Sequence, residues 1–185
     1  VNKLLVVNNA VSQPDDIGHM RKRMDRTTAI KTSVSTDSLP TIFTEALTQF
    51  LNEEDYYDEV FLHNKSLRND TKYWEERGLL PEEIKNLQQT YNVDAVVSLD
   101  KMLVTSDWED LFRQEGYPFA KLDGKISATV RVYMPSLKGQ IPTIKYIDSL
   151  YWEGFDLSDD GRAYAEFVVP HAEYALKELA VFAAD

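Results

Sequence analysis

The hydrophobic positions of this chain repeat with two periods, one helical and one extended. The strongest helical repeat predicts an amphipathic helix that begins after Asp37 or Ser38. Its apolar stripe consists of Leu39, Ile42, Phe43, Ala46, Leu47, Phe50 and Leu51. A second helix is predicted from Pro81 to Tyr91, because proline suits a first helical turn and Asn92 provides a stop.

Weaker local signals predict three further helices. Residues 71–77 are expected to form a short helix that is stopped by a glycine. Residues 106–116 are expected to form another, because Ser106 and Glu109 have the spacing of a capping box. The last helix of the chain is expected to kink or divide at Pro170.

The extended segments are of two kinds. Apolar runs at 3–8, 58–63 and 93–99 predict buried strands that are covered on both faces. Residues 126–134 alternate strictly, which is typical of an antiparallel strand, and residues 143–152 are expected to form the return strand of a hairpin. The order β-α-β-α-β followed by a hairpin and a helix predicts an α/β fold. Its mixed, twisted sheet has a parallel part and an antiparallel hairpin, and helices cover it.

The alternation at 126–134 also assigns each residue to a face of the sheet. Ile126, Val130 and Val132 are predicted to face the core. Thr129 and Arg131 are predicted to face outward or toward a polar cover.

Length and periodicity together predict the domain organisation. A chain of 185 residues with 43% hydrophobic content suits one α/β domain over residues 1–185. Residues 9–36 show no sustained period and are predicted to form a long irregular loop. A strand near 27–34 is the alternative for part of that loop.

Composition excludes several classes of function. The net charge of −11 argues against nucleic acid, and no apolar run approaches the roughly 18 residues of a membrane span. There is no cysteine, and the three histidines are widely separated, so we expect no metal and no cofactor. No glycine-rich phosphate loop and no G-x-S-x-G elbow is present. We therefore predict that the protein is not an enzyme.

Two groups of residues are candidates for binding a protein partner. A basic group stands out against the acidic background and could steer an acidic partner. Exposed tryptophans commonly anchor interfaces. The candidate residues are Arg21, Lys22, Arg23, Arg26, Trp74 and Trp108. His63, at the end of a predicted strand, is expected to be a hydrogen-bonded strand-end histidine, with a ligand contact at the sheet edge as the alternative.

The order of elements resembles the α/β domain of bacterial cell-envelope proteins. The resemblance lies in KLLVVNNA at residues 3–10, DEVF at 58–61, YNVDAVVSLD at 91–100 and KISATVRVYMP at 125–135. Proteins that share such a domain include the N-terminal domain of TolB, the curli-secretion lipoprotein CsgG and the peptidoglycan-synthase activator LpoB. The segment VVNNAVSQPDDIGH, from Val6 to His19, looks like an uncharacterised family of Bacteroidales lipoproteins.

This resemblance implies a non-enzymatic lipoprotein-type domain that binds an envelope protein or serves as an assembly scaffold. It implies a periplasmic location, with an outer-membrane anchor through a lipidated cysteine upstream of this sequence. The start at Val1, without Met, agrees with that expectation. The alternative is a domain that binds a small ligand or glycan with the carboxyl edge of its sheet and its exposed aromatics. The oligomeric state is left open.

Overall fold

The computed structural model describes residues 2–22, 29–63, 65–112, 118–134 and 144–156, together with six positions between 173 and 184. Side chains are described throughout these ranges except at 29–30, 108–112, 118–122 and 144–156. The predicted hairpin loop and the kink at Pro170 lie outside the described residues.

Seven strands and two helices have described bounds, and the six described positions between 173 and 184 are also helical. In chain order the elements with described bounds are β1 (Lys3–Asn8), β2 (His19–Lys22), β3 (Ala29–Lys31), α1 (Leu39–Glu53), β4 (Glu59–His63), α2 (Pro81–Tyr91), β5 (Ala95–Phe112), β6 (Pro118–Tyr133) and β7 (Ile144–Asp156).

All seven strands belong to one mixed sheet. Strand β1 lies between β4 and β5 and is parallel to both. Strand β2 is also parallel to β5, and β3 is antiparallel to β2. Strands β5, β6 and β7 form an antiparallel meander. The chain therefore has the predicted α/β class, with parallel and antiparallel parts in a single sheet.

The strongly periodic segments form the predicted elements. Strand β1 has the predicted bounds, and α1 and α2 begin and end within two residues of the predicted positions. Asn92 ends α2 in a left-handed conformation with φ of 51°, which asparagine tolerates better than most residues. Ser38 is the residue before α1, but its side chain makes no capping hydrogen bond.

The prediction of a short helix at 71–77 is wrong, and so is the prediction of a helix at 106–116 for its described residues 106–112; residues 113–116 lie outside the described residues. Residues 71–77 form one turn at 73–74 and are otherwise irregular, because the Asp70 carboxylate binds Arg68 and the backbone N–H of Lys72 and does not cap a helix. Residues 106–112 continue β5. They pair with β2 on one edge and with β6 on the other, so distant segments supply the hydrogen bonds that a helix would have made locally.

The segment 9–36, predicted to be irregular, contains the two short strands β2 and β3. Strand β3 falls inside the range 27–34, where a strand was the alternative. Both strands have three or four residues, too few to establish a period in the sequence.

The sheet packs apolar side chains on both faces. Leu4 and Val6 of β1 face α1, where they contact a cluster that includes Leu47. Leu5 and Val7 face α2. This division follows from the alternation of side chains along a strand.

The face assignments along β6 are confirmed. Ile126 is fully buried, and Val130 and Val132 pack against the apolar clusters on the α1 side. Thr129 and Arg131 contact charged groups under a polar cover.

Candidate ligand-binding pocket at the carboxyl edge of the sheet

The parallel strands β1 and β4 end at the same edge of the sheet, at Asn8 and His63. Helix α1 begins beside this edge. A cavity of about 490 Å³ lies between the strand ends, the first half of α1 and the loop that follows β4. Ligands of open α/β folds bind at this end of parallel strands, and the volume is in the range of small-molecule sites.

Asn8 forms part of the cavity wall because it continues the α1-facing row of β1. Leu4 and Val6 precede it on that face, with their side chains buried. Asn8 is 9% exposed, and its Oδ1 accepts a hydrogen bond of 3.0 Å from the backbone N–H of Ala10. Its Nδ2 donates no hydrogen bond to the described part of the protein, which leaves a donor at the cavity.

Helix α1 provides a wall that carries hydroxyl groups and carboxylates. Thr44 is buried, and its hydroxyl donates to the carbonyl of Pro40 over 3.0 Å. Thr41 and Glu45 are exposed and also line the cavity. Asp37 lines it just before the helix begins, where a carboxylate complements the helix dipole. This wall is therefore negatively charged.

The loop after β4 forms the facing wall and includes a buried arginine. The Arg68 side chain is 1% exposed and binds both carboxylate oxygens of Asp70, at 2.7 and 2.9 Å, and the carbonyl of Glu75 at 2.9 Å. Hydrogen bonds from Arg68 hold the pKa of Asp70 at about 2. Because Asp70 neutralises Arg68, the uncompensated cation of this wall is Lys65, which makes no ion pair with the described residues.

His63 is bound on the other face of β4. Its Nδ1 lies 2.7 Å from the Tyr91 hydroxyl of α2, and the two rings meet edge to face. Burial lowers the pKa of His63, with a smaller contribution from Lys65, so the ring favours its neutral form. The expectation of a hydrogen-bonded strand-end histidine is confirmed.

A charged network lies next to the pocket, at the end of β1 and at an irregular point within β5. A register shift between Leu99 and Lys101 inserts Asp100 as an extra residue, and the contacts of Asp100 and Lys101 lie on the same face. Asp100 is fully buried and accepts hydrogen bonds from Ser98 at 2.6 Å and from Arg131 at 2.7 Å. Burial raises the pKa of Asp100, and its hydrogen bonds and Arg131 oppose that rise.

This network holds the irregular segment 65–80 against the sheet. The Glu76 carboxylate lies 3.3 Å from the Lys101 ammonium and 3.8 Å from the Arg131 guanidinium. The backbone N–H of Leu79 donates to the Tyr133 hydroxyl over 2.9 Å. Sequence analysis did not identify this network. The charged pair Asp100-Lys101 at the end of an apolar strand was the signal available.

The predicted partner-binding residues occupy separate elements. Arg21 and Lys22 lie on β2, where Arg21 is paired in register with Trp108 of β5. Trp74 lies in the segment 65–80, is 59% exposed and contacts Tyr73 edge to face. Arg23, Arg26 and the side chain of Trp108 lie outside the described residues. The role of these residues as one surface stays a prediction.

His19 is sealed inside the fold. It is fully buried, its Nδ1 lies 2.6 Å from the Ser106 hydroxyl, and its Nε2 has no hydrogen-bond partner. Burial lowers the pKa of His19, which keeps the ring neutral. A residue with this burial contacts no ligand in solution.

Within the described residues, no group of three or more His, Asp or Glu side chains is arranged to hold a metal ion. No helix in that part of the chain is long and apolar enough to cross a membrane.

The fold and the pocket define a mixed α/β domain with a polar cavity at the carboxyl edge of its parallel strands. The chain belongs to the family DUF8603, described as a domain of unknown function, whose profile matches residues 1–185. None of the curated proteins matches the sequence significantly.

Three solved structures have distant similarity to the chain. An uncharacterised protein has 15% identity and a TM-score of 0.38, with coverage of 100% of this chain and 91% of the other. Protein XCC0632 from Xanthomonas campestris, of family DUF330, has 10% identity and a TM-score of 0.35, with coverage of 98% and 83%. A proposed neuraminyllactose-binding hemagglutinin homolog from Helicobacter pylori has 10% identity and a TM-score of 0.40, with coverage of 99% and 81%.

Proposed function

We propose that this domain functions by binding and not by catalysis, and that the cavity at the carboxyl edge binds a small polar ligand. The observation that carries the proposal is the open donor of Asn8. Asn8 lines the cavity and is only 9% exposed, and its Nδ2 stays accessible at the cavity without a hydrogen-bond partner among the described residues. An acceptor atom of a ligand would supply one.

The surroundings of the cavity support the same proposal. Arg68 and Asp70 fix the loop wall, and α1 fixes the opposite wall, so the shape of the cavity is set by well-anchored elements. Preorganised walls reduce the entropic cost of binding.

The envelope setting is part of the proposal. The resemblance of residues 6–19 to Bacteroidales lipoproteins supports a periplasmic domain, anchored at the outer membrane through a lipidated cysteine upstream. Residues 8–12 of that segment line the pocket, with the exception of Asn9.

A thermal-shift screen of small polar compounds tests the proposal. Thr41→Trp places a large side chain at the cavity from an exposed helix position, and Gln49→Trp is the matched control on the same helix outside the cavity. We expect a compound that stabilises wild type and Gln49→Trp to have no effect on Thr41→Trp. Asn8→Ser retains an oxygen that can accept from Ala10 N–H but removes the amide donor, so it should weaken binding.

Two results would overturn the proposal. One is a hit that stabilises Thr41→Trp as much as wild type, because the ligand would then bind elsewhere. The other is turnover of a substrate by the purified domain in an activity panel, which would contradict the non-enzymatic part.

A second candidate function is recognition of an envelope protein, and the Tyr73–Trp74 pair favours it. The two rings meet edge to face with centroids 5.1 Å apart, in a turn whose carbonyls at 72 and 75 accept hydrogen bonds from Arg68. Rigid, exposed aromatics contribute much of the binding energy at interfaces.

The protein-partner candidate can be tested at single residues. A partner isolated from envelope extract should bind Trp74→Ala more weakly than Tyr56→Ala, which removes an exposed aromatic from another part of the surface. Charge reversal of Arg21, Lys22 and Arg23 to Glu should weaken capture and flatten its salt dependence if the basic group steers the partner. Unchanged affinity in all these variants would refute this candidate.

A further inference from the structure

The two walls of the pocket carry opposite charges that do not pair with each other. Glu45 on α1 and Lys65 on the loop after β4 both line the cavity, and neither forms an ion pair with a described residue. Both side chains are exposed, so water solvates each charge when no ligand is bound. The cavity therefore lies between an uncompensated carboxylate and an uncompensated ammonium group.

The other polar groups of the cavity are also divided between a negatively charged α1 side and a side that donates hydrogen bonds. Asp37 adds a second carboxylate on the α1 side, whereas the open amide donor of Asn8 lies at the strand end. A cationic group is thus favoured near α1, and an acceptor such as a carboxylate is favoured near Asn8 and Lys65. A simple anion would meet two carboxylates, and a simple cation would leave Lys65 uncompensated.

The described lining has a few aliphatic side chains but little aromatic surface on which a flat ligand could stack. Its only aromatic ring is the imidazole of His63, and that ring is bound to Tyr91 on the other face of β4. Stacking of a sugar or a nucleobase therefore has no platform among the described residues of the cavity.

We propose that the pocket binds a small zwitterion that carries an ammonium group and a carboxylate, such as an amino acid or a short peptide with free ends. The ammonium lies against Glu45 and Asp37, and the carboxylate lies against Lys65 and the Asn8 amide. This inference rests on the proposed function of the pocket and specifies its ligand class.

Calorimetric titration with four probes tests the assignment. The probes are alanine, alanyl-alanine, N-acetyl-alanyl-alanine and alanyl-alanine amide, so that each charge is removed separately and the two zwitterions differ in charge separation. We expect one of the two zwitterions to bind, and either cap on the dipeptide to weaken binding about three- to tenfold if the dipeptide is preferred.

Variants connect each charge of the ligand to one wall. Glu45→Gln should weaken the binding of alanyl-alanine until its affinity equals that of the N-acetyl form. Lys65→Gln should weaken it until its affinity equals that of the amide. Glu82→Gln and Lys85→Gln change the same charges on α2, outside the pocket, and should leave all four affinities unchanged.

The outcomes separate this inference from the proposed function. Neutral polyols, or both capped dipeptides, could bind as tightly as the zwitterions and lose that binding in Thr41→Trp. In that case the ligand class is wrong, and the proposal of a binding pocket stands. If no compound binds in a manner that Thr41→Trp abolishes, the pocket proposal fails and the ligand class fails with it.

Discussion

Arg131→Met should destabilise the fold strongly, because it leaves a buried carboxylate without its cation. In the native structure the Arg131 guanidinium lies 2.7 Å from Asp100, whose side chain is fully buried. Loss of one partner from a buried ion pair costs about 3–5 kcal/mol. The Arg131 side chain is 23% exposed, so water can partly replace it, and we expect a loss near the lower end, about 3 kcal/mol.

The deficit should depend on pH in a defined direction. Burial already raises the pKa of Asp100, and Arg131 opposes that rise, so the variant should raise it further. A carboxyl group whose pKa is higher in the folded state is tolerated best when protonated. The deficit of Arg131→Met should therefore be largest near neutral pH and should shrink as pH falls toward the ordinary aspartate range.

Urea unfolding at about pH 8 and about pH 5 measures both effects. Asp100→Asn combined with Arg131→Met removes the unpaired charge and should recover most of the lost stability. Arg77→Met is a matched control, because its ion pair with Glu83 is more than 40% exposed on both sides and should contribute less than about 1 kcal/mol. A deficit below about 1 kcal/mol, or one that does not change with pH, would refute the view that Arg131 neutralises a buried charge.

Three further predictions concern other parts of the fold. Gly18→Ala should lower the free energy of unfolding by about 1–3 kcal/mol in thermal or urea unfolding. The reason is that Gly18 has φ of 84° and an added Cβ would lie 2.6 Å from the Val104 carbonyl oxygen. Unchanged stability would contradict that geometry. Val130→Asp should cost on the order of several kcal/mol in the same assay, since Val130 packs against two apolar clusters, and a melting temperature close to wild type would contradict its assigned face. Hydrogen bonds from backbone N–H groups at the start of β1 lower the pKa of Asp94. Wild type should therefore lose this stabilisation as pH falls through that pKa, and the difference in unfolding free energy between wild type and Asp94→Ala should narrow below about pH 4. A difference that is constant with pH would exclude the carboxylate as its source.

The sequence predicted those elements whose hydrogen bonds and apolar contacts are local or strongly periodic. Helix α1 carries a regular apolar stripe, and β1 is a continuous apolar run, so both could be located. Helix α2 was also predictable, because Pro81 suits the first turn of a helix and Asn92 ends the helix in a left-handed conformation. In each case the information lies within about fifteen residues.

Elements that depend on distant partners could not be located in this way. Residues 106–109 have a capping-box spacing, yet they form a strand because β2 and β6 pair with both of their edges. The segment 65–80 has no regular structure and is held by Arg68, Glu76 and Tyr133 through contacts that join separate parts of the chain. The pocket was predictable only as a position, the carboxyl edge, because its charged walls come from α1 and the loop after β4.

The consecutive residues Asn8 and Asn9 would let one strand end serve both stability and the proposed ligand binding. Successive side chains of a strand point to opposite faces, so the pair divides between the two sides of the sheet. Asn9 donates to Asp100 over 3.0 Å and to the carbonyl of Arg77, and it thereby ties the segment 65–80 to the charged network. Asn8 meets the pocket with its amide donor open. The network can therefore keep the end of β1 rigid while the opposite face stays available to a ligand, which is the arrangement that preorganised binding requires.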